Sequence, residues 1–104
     1  MYVIIWEYRV RPASVREFEK IYGENGVWAK LFQNGSGYLG TELLRDSSDP
    51  YHYLTIDCWN SITDYEAFLS KLKKEYEMLD AQCENLIEQE TLLGKWESIS
   101  HETR

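Results

Sequence analysis

Residues 40–68 read GTELLRDSSDPYHYLTIDCWNSITDYEAF, and this stretch decides the fold of the chain. Gly40 to Arg45 and Tyr51 to Trp59 are rich in apolar, aromatic and β-branched residues, which is typical of strands. The turn-forming residues between them, from Asp46 to Pro50, predict a hairpin. Ser61 then predicts the start of a helix, because its hydroxyl can satisfy a free amide of the first turn. The stretch therefore predicts a hairpin followed by a helix.

The pattern continues towards both ends of the chain. Tyr2 to Val10 alternates with period two and predicts a first strand. Val15 to Tyr22 and the segment after Ser61 carry apolar residues at helical spacing. Glu88 to Trp96 predicts the last strand. The order β-α-β-β-α-β is the ferredoxin-like arrangement, and right-handed crossovers place the first and third strands in the middle of a four-stranded antiparallel sheet. We therefore predict an α+β fold.

The length and the cysteines bound the class of protein. A chain of 104 residues predicts one domain, which we place at residues 1–97, followed by a polar tail at residues 98–104. No apolar run approaches the ~20 residues of a membrane span, and the opening residues predict a strand rather than a signal peptide. Cys58 and Cys83 lack zinc-site spacing. We therefore expect a cytoplasmic protein without a metal and with no membrane partner.

Charge and aromatic content indicate which partners to expect. The formal net charge is −7, which repels phosphate backbones and argues against nucleic-acid binding. The chain has four Trp, eight Tyr and three Phe, and a monomer of this size struggles to cover so much aromatic surface. We therefore expect a homodimer, a pocket for a small aromatic ligand, or both.

The two faces of the predicted sheet are expected to have different roles. If Leu54 and Ile56 face the helices, His52 faces the same way. The helices then leave the opposite face uncovered. An obligate interface formed by one whole face of a sheet buries roughly 2,000 Å² or more of accessible surface. We therefore predict a homodimer through the opposite face, which also carries Val3 and Ile5 of the first strand. Its predicted third-strand residues are Tyr53, Thr55, Asp57 and Trp59.

With these residues the chain resembles the antibiotic biosynthesis monooxygenase (ABM) family of the dimeric α+β barrel superfamily. The resemblance covers Tyr2 to Trp96. It is carried by Val10-Arg11-Pro12, by Gly37, by Thr41-Glu42-Leu43 and Arg45-Asp46, by Asp49-Pro50, by Trp59-Asn60-Ser61 and by Tyr65-Glu66-Ala67-Phe68. It implies a dimeric barrel and a monooxygenase that oxidises a small aromatic or quinol-like compound without any cofactor. The superfamily also includes enzymes that degrade haem. The residues that match their Asn, Trp and His are Trp6, Phe68 and Met78, so the resemblance argues against haem degradation.

The pocket that the resemblance implies lies between the sheet and its own helices. Trp6 and Tyr8 fall on the face assigned to that pocket and offer N–H and O–H donors for an anion. His52, assigned to the same face, is the candidate general base. The candidate substrate-binding residues are Tyr22, Trp28, Phe32, Phe68, Leu72 and Tyr76.

Core packing is the competing explanation for these aromatic and apolar residues. Two other functions also fit the sequence. The first is a non-catalytic module that binds a small molecule on the same fold. The second is an isomerase that moves protons through His52.

Overall fold

A computed structural model describes residues 1–99. Its strands are β1 (Tyr2–Val10), β2 (Tyr38–Arg45), β3 (His52–Trp59) and β4 (Ile87–Glu97). Its helices are α1 (Val15–Tyr22), α2 (Val27–Phe32), α3 (Ile62–Lys71) and α4 (Lys73–Cys83). Short 3-10 turns at Pro12–Ser14 and Glu84–Leu86 precede α1 and β4. Residues 100–104 of the predicted polar tail lie outside the described residues.

The four strands form one antiparallel sheet in the order β2-β3-β1-β4. The first and third strands occupy the middle, and the helices connect the sheet's outer and inner strands. The predicted α+β, ferredoxin-like architecture is therefore confirmed.

The structure corrects the predicted orientation of β3. Asp57 lies opposite Ile4 in the pairing of β3 with β1, and Tyr53 lies opposite Tyr8. Directly opposite residues of an antiparallel pair point to the same side of the sheet, and Ile4 and Tyr8 are buried in the core. Tyr53, Asp57 and Trp59 therefore face the helices, and their predicted place in a dimer interface was wrong. Because residues on both sides of β3 suit a buried face, its alternation alone does not decide which side is inside.

The core on the helix side of the sheet is built from aromatic rings. Trp59 is fully buried, and its ring lies 5.9 Å from Phe32, 5.5 Å from Tyr65 and 5.3 Å from Phe68 between centroids. A Cβ atom at Gly35 would lie 2.8 Å from the Trp59 ring. The loop before β2 therefore has to carry a glycine where it crosses the indole.

The second helical segment starts as predicted from the sequence. Ser61 caps α3, since its Oγ accepts a hydrogen bond of 3.1 Å from the backbone N–H of Asp64. Helix α4 follows α3 after a break at Leu72. Within residues 1–99, no helix is long and apolar enough to cross a membrane.

No helix among residues 1–99 lies over the other side of the sheet, and we call that side the open face. It carries Val3 and Ile5 of β1, as predicted, together with Leu54 and Ile56 of β3, all of them partly exposed. Trp96 of β4 lies opposite Val3 and is 56% exposed. The molecule is flat, 47 × 36 × 21 Å, with a radius of gyration of 14.3 Å, where a compact domain of this length has about 13 Å. The open face is therefore an uncovered layer that is apolar at these residues and polar at its other end, around Glu7, Arg9 and His52.

Candidate active site between the sheet and the helices

The most unusual group in the interior is the carboxylate of Asp57. It is 7% exposed and lies on the helix side of β3 between Thr55 and Trp59. Buried carboxylates are normally paired with a cation. The salt bridges among residues 1–99 do not include Asp57, so its charge is not compensated there.

A chain of hydroxyl groups leads to this carboxylate from β2. Thr41 lies opposite Asp57 in the pairing of β2 with β3, and its Oγ1 donates a hydrogen bond of 2.7 Å to Asp57 Oδ1. The hydroxyl oxygen of Tyr38 lies 2.6 Å from Thr41 Oγ1. Because the single hydroxyl proton of Thr41 already goes to Asp57, Tyr38 is the donor in the second bond. The chain runs from Tyr38 through Thr41 to Asp57.

Burial shifts the ionisation of Asp57 towards neutral pH. It raises the pKa of the carboxyl from 3.8 to about 6, and the hydrogen bond from Thr41 opposes the shift. At pH 7 most molecules therefore carry an ionised Asp57, while the protonated form lies close in free energy. A carboxylate in this state can accept a proton and release it again at neutral pH.

Four tyrosines, each from a different element, lie close enough for the charge of Asp57 to act on them. Burial is the main cause that raises the pKa of each phenol, and the carboxylate of Asp57 raises it further. For Tyr65 the pKa rises to about 12. These phenols are therefore neutral hydrogen-bond donors at pH 7. They are Tyr8 of β1, Tyr38 of β2, Tyr65 of α3 and Tyr76 of α4.

Two indole N–H groups in the interior have no hydrogen-bond partner among residues 1–99. They belong to Trp28 of α2 and Trp59 of β3, and both nitrogen atoms are buried. A buried indole N–H normally finds an acceptor. Trp59 lies two residues after Asp57 on the same face of β3, so an unused donor and an uncompensated carboxylate are neighbours along one strand.

An apolar groove runs along the surface of α3 and α4. Its volume is about 460 Å³. Leu69 and Tyr76 line the groove and also pack against the aromatic core. These two residues therefore separate the groove from the core. The remaining lining residues are Glu66, Ser70, Lys73 and Glu77.

The structure places Trp6 and Tyr8 on the helix side of β1, as the sequence predicted. Tyr8 is buried and its hydroxyl lies 3.4 Å from Thr55 Oγ1. Trp6 is partly buried, packs against the core and lies opposite Leu92 of the edge strand β4. Their roles in catalysis stay predictions.

His52 does not lie on the same side of the sheet as Trp6 and Tyr8, so its predicted position on the helix side was wrong. It lies on the open face, where its Nε2 is 2.6 Å from Glu7 Oε2 and its Nδ1 is 2.8 Å from Asp46 Oδ2. Hydrogen bonds to Asp46 and to Glu7 raise the pKa of the imidazole. The sheet itself separates His52 from the aromatic interior, because side chains of neighbouring positions on a strand point to opposite faces.

The predicted substrate-binding residues do come together. Phe32 and Phe68 are buried beside Trp59, while Trp28 contacts Tyr22 and Tyr76 at ring distances of 6.1 and 5.0 Å. Leu72 and Tyr76 are partly buried and pack against the same cluster. Their part in binding a substrate stays a prediction.

A second cavity, of about 300 Å³, lies where α4 meets β4. It is acidic, and burial raises the pKa of Asp80 and of Glu90 there. Within residues 1–99, no group of three or more His, Cys, Asp and Glu side chains is placed to hold a metal ion. The cavity is lined by Tyr22, Asp80, Cys83, Glu84, Ile87, Glu88, Gln89 and Glu90.

Asp57 was not predicted as a site residue from the sequence, although a signal was present. Aspartate is depleted in strands, yet Asp57 stands among the apolar and aromatic residues of β3. An aspartate within the alternating pattern of β3 is unusual enough to mark Asp57 as a candidate. Only the pairing of β3 with β1 shows that Asp57 points inwards.

Comparison with known proteins places the chain in a family. A sequence model of the family described as antibiotic biosynthesis monooxygenase, ABM, matches residues 1–73. The chain belongs to this family. No curated protein sequence matches it.

Several solved structures share the fold over nearly the whole chain. SnoaB, a cofactor-independent oxygenase from Streptomyces nogalater, has a TM-score of 0.71 at 17% identity, with 96% of this chain and 94% of SnoaB covered. A protein from Deinococcus radiodurans, proposed to be an antibiotic biosynthesis monooxygenase, has a TM-score of 0.74 at 16% identity, with 100% and 98% covered. PA3566 from Pseudomonas aeruginosa has a TM-score of 0.68 at 14% identity, with 95% and 94% covered. At these identities the likeness concerns the fold.

Proposed function

We propose that this chain is a cofactor-independent monooxygenase that oxidises a small aromatic or quinol-like compound with O₂. The reaction takes place between the sheet and helices α3 and α4, and the groove along these helices admits the substrate. Membership of the ABM family and the fold shared with SnoaB support this proposal.

The observation that carries the proposal is the N–H of Trp59, which has no hydrogen-bond partner among residues 1–99. It lies in an aromatic interior behind Leu69 and Tyr76 of the groove, and in the proposed complex a planar substrate stacks on the aromatic rings. A buried donor without a partner is costly in a folded protein. It becomes favourable when negative charge develops next to it, because hydrogen bonds are strong in a site without water. An anionic intermediate supplies such charge.

The chemistry needs O₂ and a substrate with an ionisable C–H or O–H. In a substrate with an activated CH₂ group, loss of one proton leaves a carbanion or enolate. That anion transfers one electron to O₂, and the resulting radical and superoxide combine to a peroxide. The peroxide loses water and leaves a carbonyl group. One oxygen atom of O₂ enters the product, the other leaves as water, and O₂ is the oxidant. Trp59 and the neighbouring phenols donate hydrogen bonds to the anion.

The test is O₂ uptake by metal-free and flavin-free protein with a panel of anthrones, quinols and catechols. We expect saturable uptake by the wild type. We expect Trp59→Phe, which keeps an aromatic ring but removes the N–H, to lower kcat about 100-fold, since losing one oxyanion donor costs roughly 10²–10³ in rate.

The matched control is Tyr51→Phe, which removes a hydroxyl donor from an aromatic ring that is 36% exposed and lies in the turn before β3. It is expected to keep wild-type kcat. Absence of uptake with every compound by correctly folded wild-type protein would refute the oxygenase. Equal losses in the Trp59→Phe and Tyr51→Phe variants would refute the role of Trp59.

We also propose that the open face forms a homodimer. Its support is an apolar patch that none of the helices in the described part of the chain covers, in a protein only 21 Å thick. The residues proposed to meet a second copy are Val3 and Ile5, as expected from the sequence, together with Leu54, Ile56 and Trp96 in place of Tyr53, Asp57 and Trp59.

A further inference from the structure

We infer that Asp57 is the proton acceptor of the interior site and that the site takes uncharged aromatic compounds with an acidic C–H or O–H. This inference rests on the proposed function for the location of the site. It goes further by naming the base and the charge of the substrate. It also replaces His52, which the sheet separates from the interior.

The placement of Asp57 is the first support. A buried carboxylate without a cation costs several kcal/mol in a folded protein, and uncompensated groups of this kind concentrate at functional sites. Its one hydrogen bond among residues 1–99 comes from Thr41 to Oδ1. Thr41 is itself held by Tyr38. These two hydrogen bonds orient the carboxylate of Asp57 and leave its Oδ2 free to accept a proton.

The surroundings of Asp57 are the second support. The groups that face it from the packed elements are phenols, from β1, β2, α3 and α4, and burial raises the pKa of each. On the β4 side, Glu90 acts on Tyr8 and Tyr76, and the ammonium of Lys95 lies 5.7 Å from the centroid of the Tyr65 ring. Glu90 is exposed, whereas Asp57 is buried, so Asp57 is the buried carboxylate among these neighbours that is suited to take up a proton at neutral pH.

The charge balance of the step defines the substrate. A proton moves from the substrate C–H or O–H to Asp57 Oδ2, and its electron pair stays on the substrate. The single negative charge thus passes from Asp57 to the bound anion, next to the N–H of Trp59. A substrate that already carries a carboxylate or phosphate in the interior would face an ionised Asp57 without a compensating cation. A neutral phenol or enolisable ketone fits this balance.

The experiment measures proton transfer without O₂. Anthrone, which has an acidic CH₂ group, is incubated under argon in D₂O with metal-free protein, and exchange of its CH₂ protons for deuterium is followed by NMR. We expect the wild type to accelerate exchange, with a rate that rises with pH around a midpoint of about 6. We expect Asp57→Asn to lower the enzymatic exchange rate at least about 100-fold, as for loss of a general base.

Two further variants separate the role of the Asp57 carboxylate from other effects of substitution. Thr41→Val retains the carboxylate but removes the hydrogen bond that lowers its pKa, so we expect the midpoint of the pH profile to rise. Glu42→Gln removes a neighbouring carboxylate of β2 that is exposed and is expected to change nothing. Circular dichroism and binding of anthrone, followed by tryptophan fluorescence, verify that each variant is folded and binds.

The outcomes separate this inference from the oxygenase itself. Exchange under argon that is lost in Asp57→Asn supports Asp57 as the proton acceptor, whether or not O₂ is consumed in air. Absence of O₂ consumption together with such exchange would refute the oxygenase alone. Saturable O₂ uptake that is unchanged in Asp57→Asn would overturn the role of Asp57 and leave the oxygenase standing. No exchange by wild-type protein, or equal exchange by Asp57→Asn, would also overturn the inference.

Discussion

At the scale of single residues, Asp57 is expected to cost stability. Low-dielectric surroundings disfavour its ionised form, and the pKa rises from 3.8 to about 6 on folding. A raised pKa means that the group contributes most stability below about pH 4, its unfolded pKa. That contribution is lost as the pH rises through about 6. A difference of about two pKa units corresponds to roughly 3 kcal/mol.

This predicts that Asp57→Asn makes the protein more stable at pH 8. The free energy of unfolding is expected to rise by up to about 3 kcal/mol, because the neutral amide has no charge to bury. The gain should shrink towards pH 4, where the wild-type carboxyl is protonated. Urea unfolding of both proteins at pH 4.5, 6 and 8 measures it. A variant less stable than wild type at pH 8 would contradict an uncompensated charge. A stabilised variant without activity is the trade-off expected at a functional site.

At the scale of elements, His52 joins two strands and a turn on the open face. Its ring bridges Glu7 of β1 and Asp46 of the β2–β3 connection, and both partners favour the charged imidazolium. The pKa of His52 is therefore raised by folding, and its interactions stabilise the fold below the unfolded pKa of about 6.5. This stabilisation is lost as the pH rises through the folded pKa.

His52→Gln is accordingly expected to lower stability at pH 6 and to have a much smaller effect at pH 9, measured as the urea midpoint of variant and wild type at each pH. Turnover at the interior site should persist, because His52 lies on the other side of the sheet. Loss of all O₂ uptake in a folded His52→Gln protein would restore His52 as a candidate base and count against Asp57.

At the scale of the whole molecule, the flat shape indicates that something covers the open face. A sheet with helices on one side leaves its other side in water, and large exposed apolar patches mark interfaces. In the proposed homodimer, a second copy of the chain supplies a matching apolar layer through a two-fold axis. The radius of gyration of 14.3 Å, above the value of about 13 Å for a compact domain of this length, agrees with a protomer that is half of a barrel.

We therefore expect Ile56→Lys to dissociate the dimer. The dimer Kd should rise by about 100-fold or more, because burying an unpaired ammonium costs several kcal/mol. Light scattering coupled to size-exclusion chromatography measures the mass. The matched control is Val27→Lys, the same kind of change at an apolar residue of α2 that is 46% exposed. A wild-type monomer at all concentrations, or an Ile56→Lys dimer as tight as wild type, would contradict the proposed interface.

Local patterns in the chain were sufficient for the order of elements and for several of their details. The turn from Asp46 to Pro50 separates the two strands where the sequence predicted it. Ser61 caps α3, and Trp6 and Tyr8 point towards the helices. These features depend on a few neighbouring residues, since capping, turn formation and period-two alternation are all short-range. The resemblance to the family was carried by particular residues of these elements, such as Val10-Arg11-Pro12 and Trp59-Asn60-Ser61.

The tertiary structure decided which side of β3 is inside. Both sides of this strand carry residues that suit a core, and a shift of one residue in register exchanges the two sides. The register is set by β1, which is distant along the chain and pairs Ile4 with Asp57. Because of this one non-local pairing, Tyr53, Asp57 and Trp59 lie in the interior and His52 lies outside it, the opposite of the positions predicted from the sequence. The chain thus specifies its elements locally, whereas the composition of the candidate site depends on how two distant strands meet.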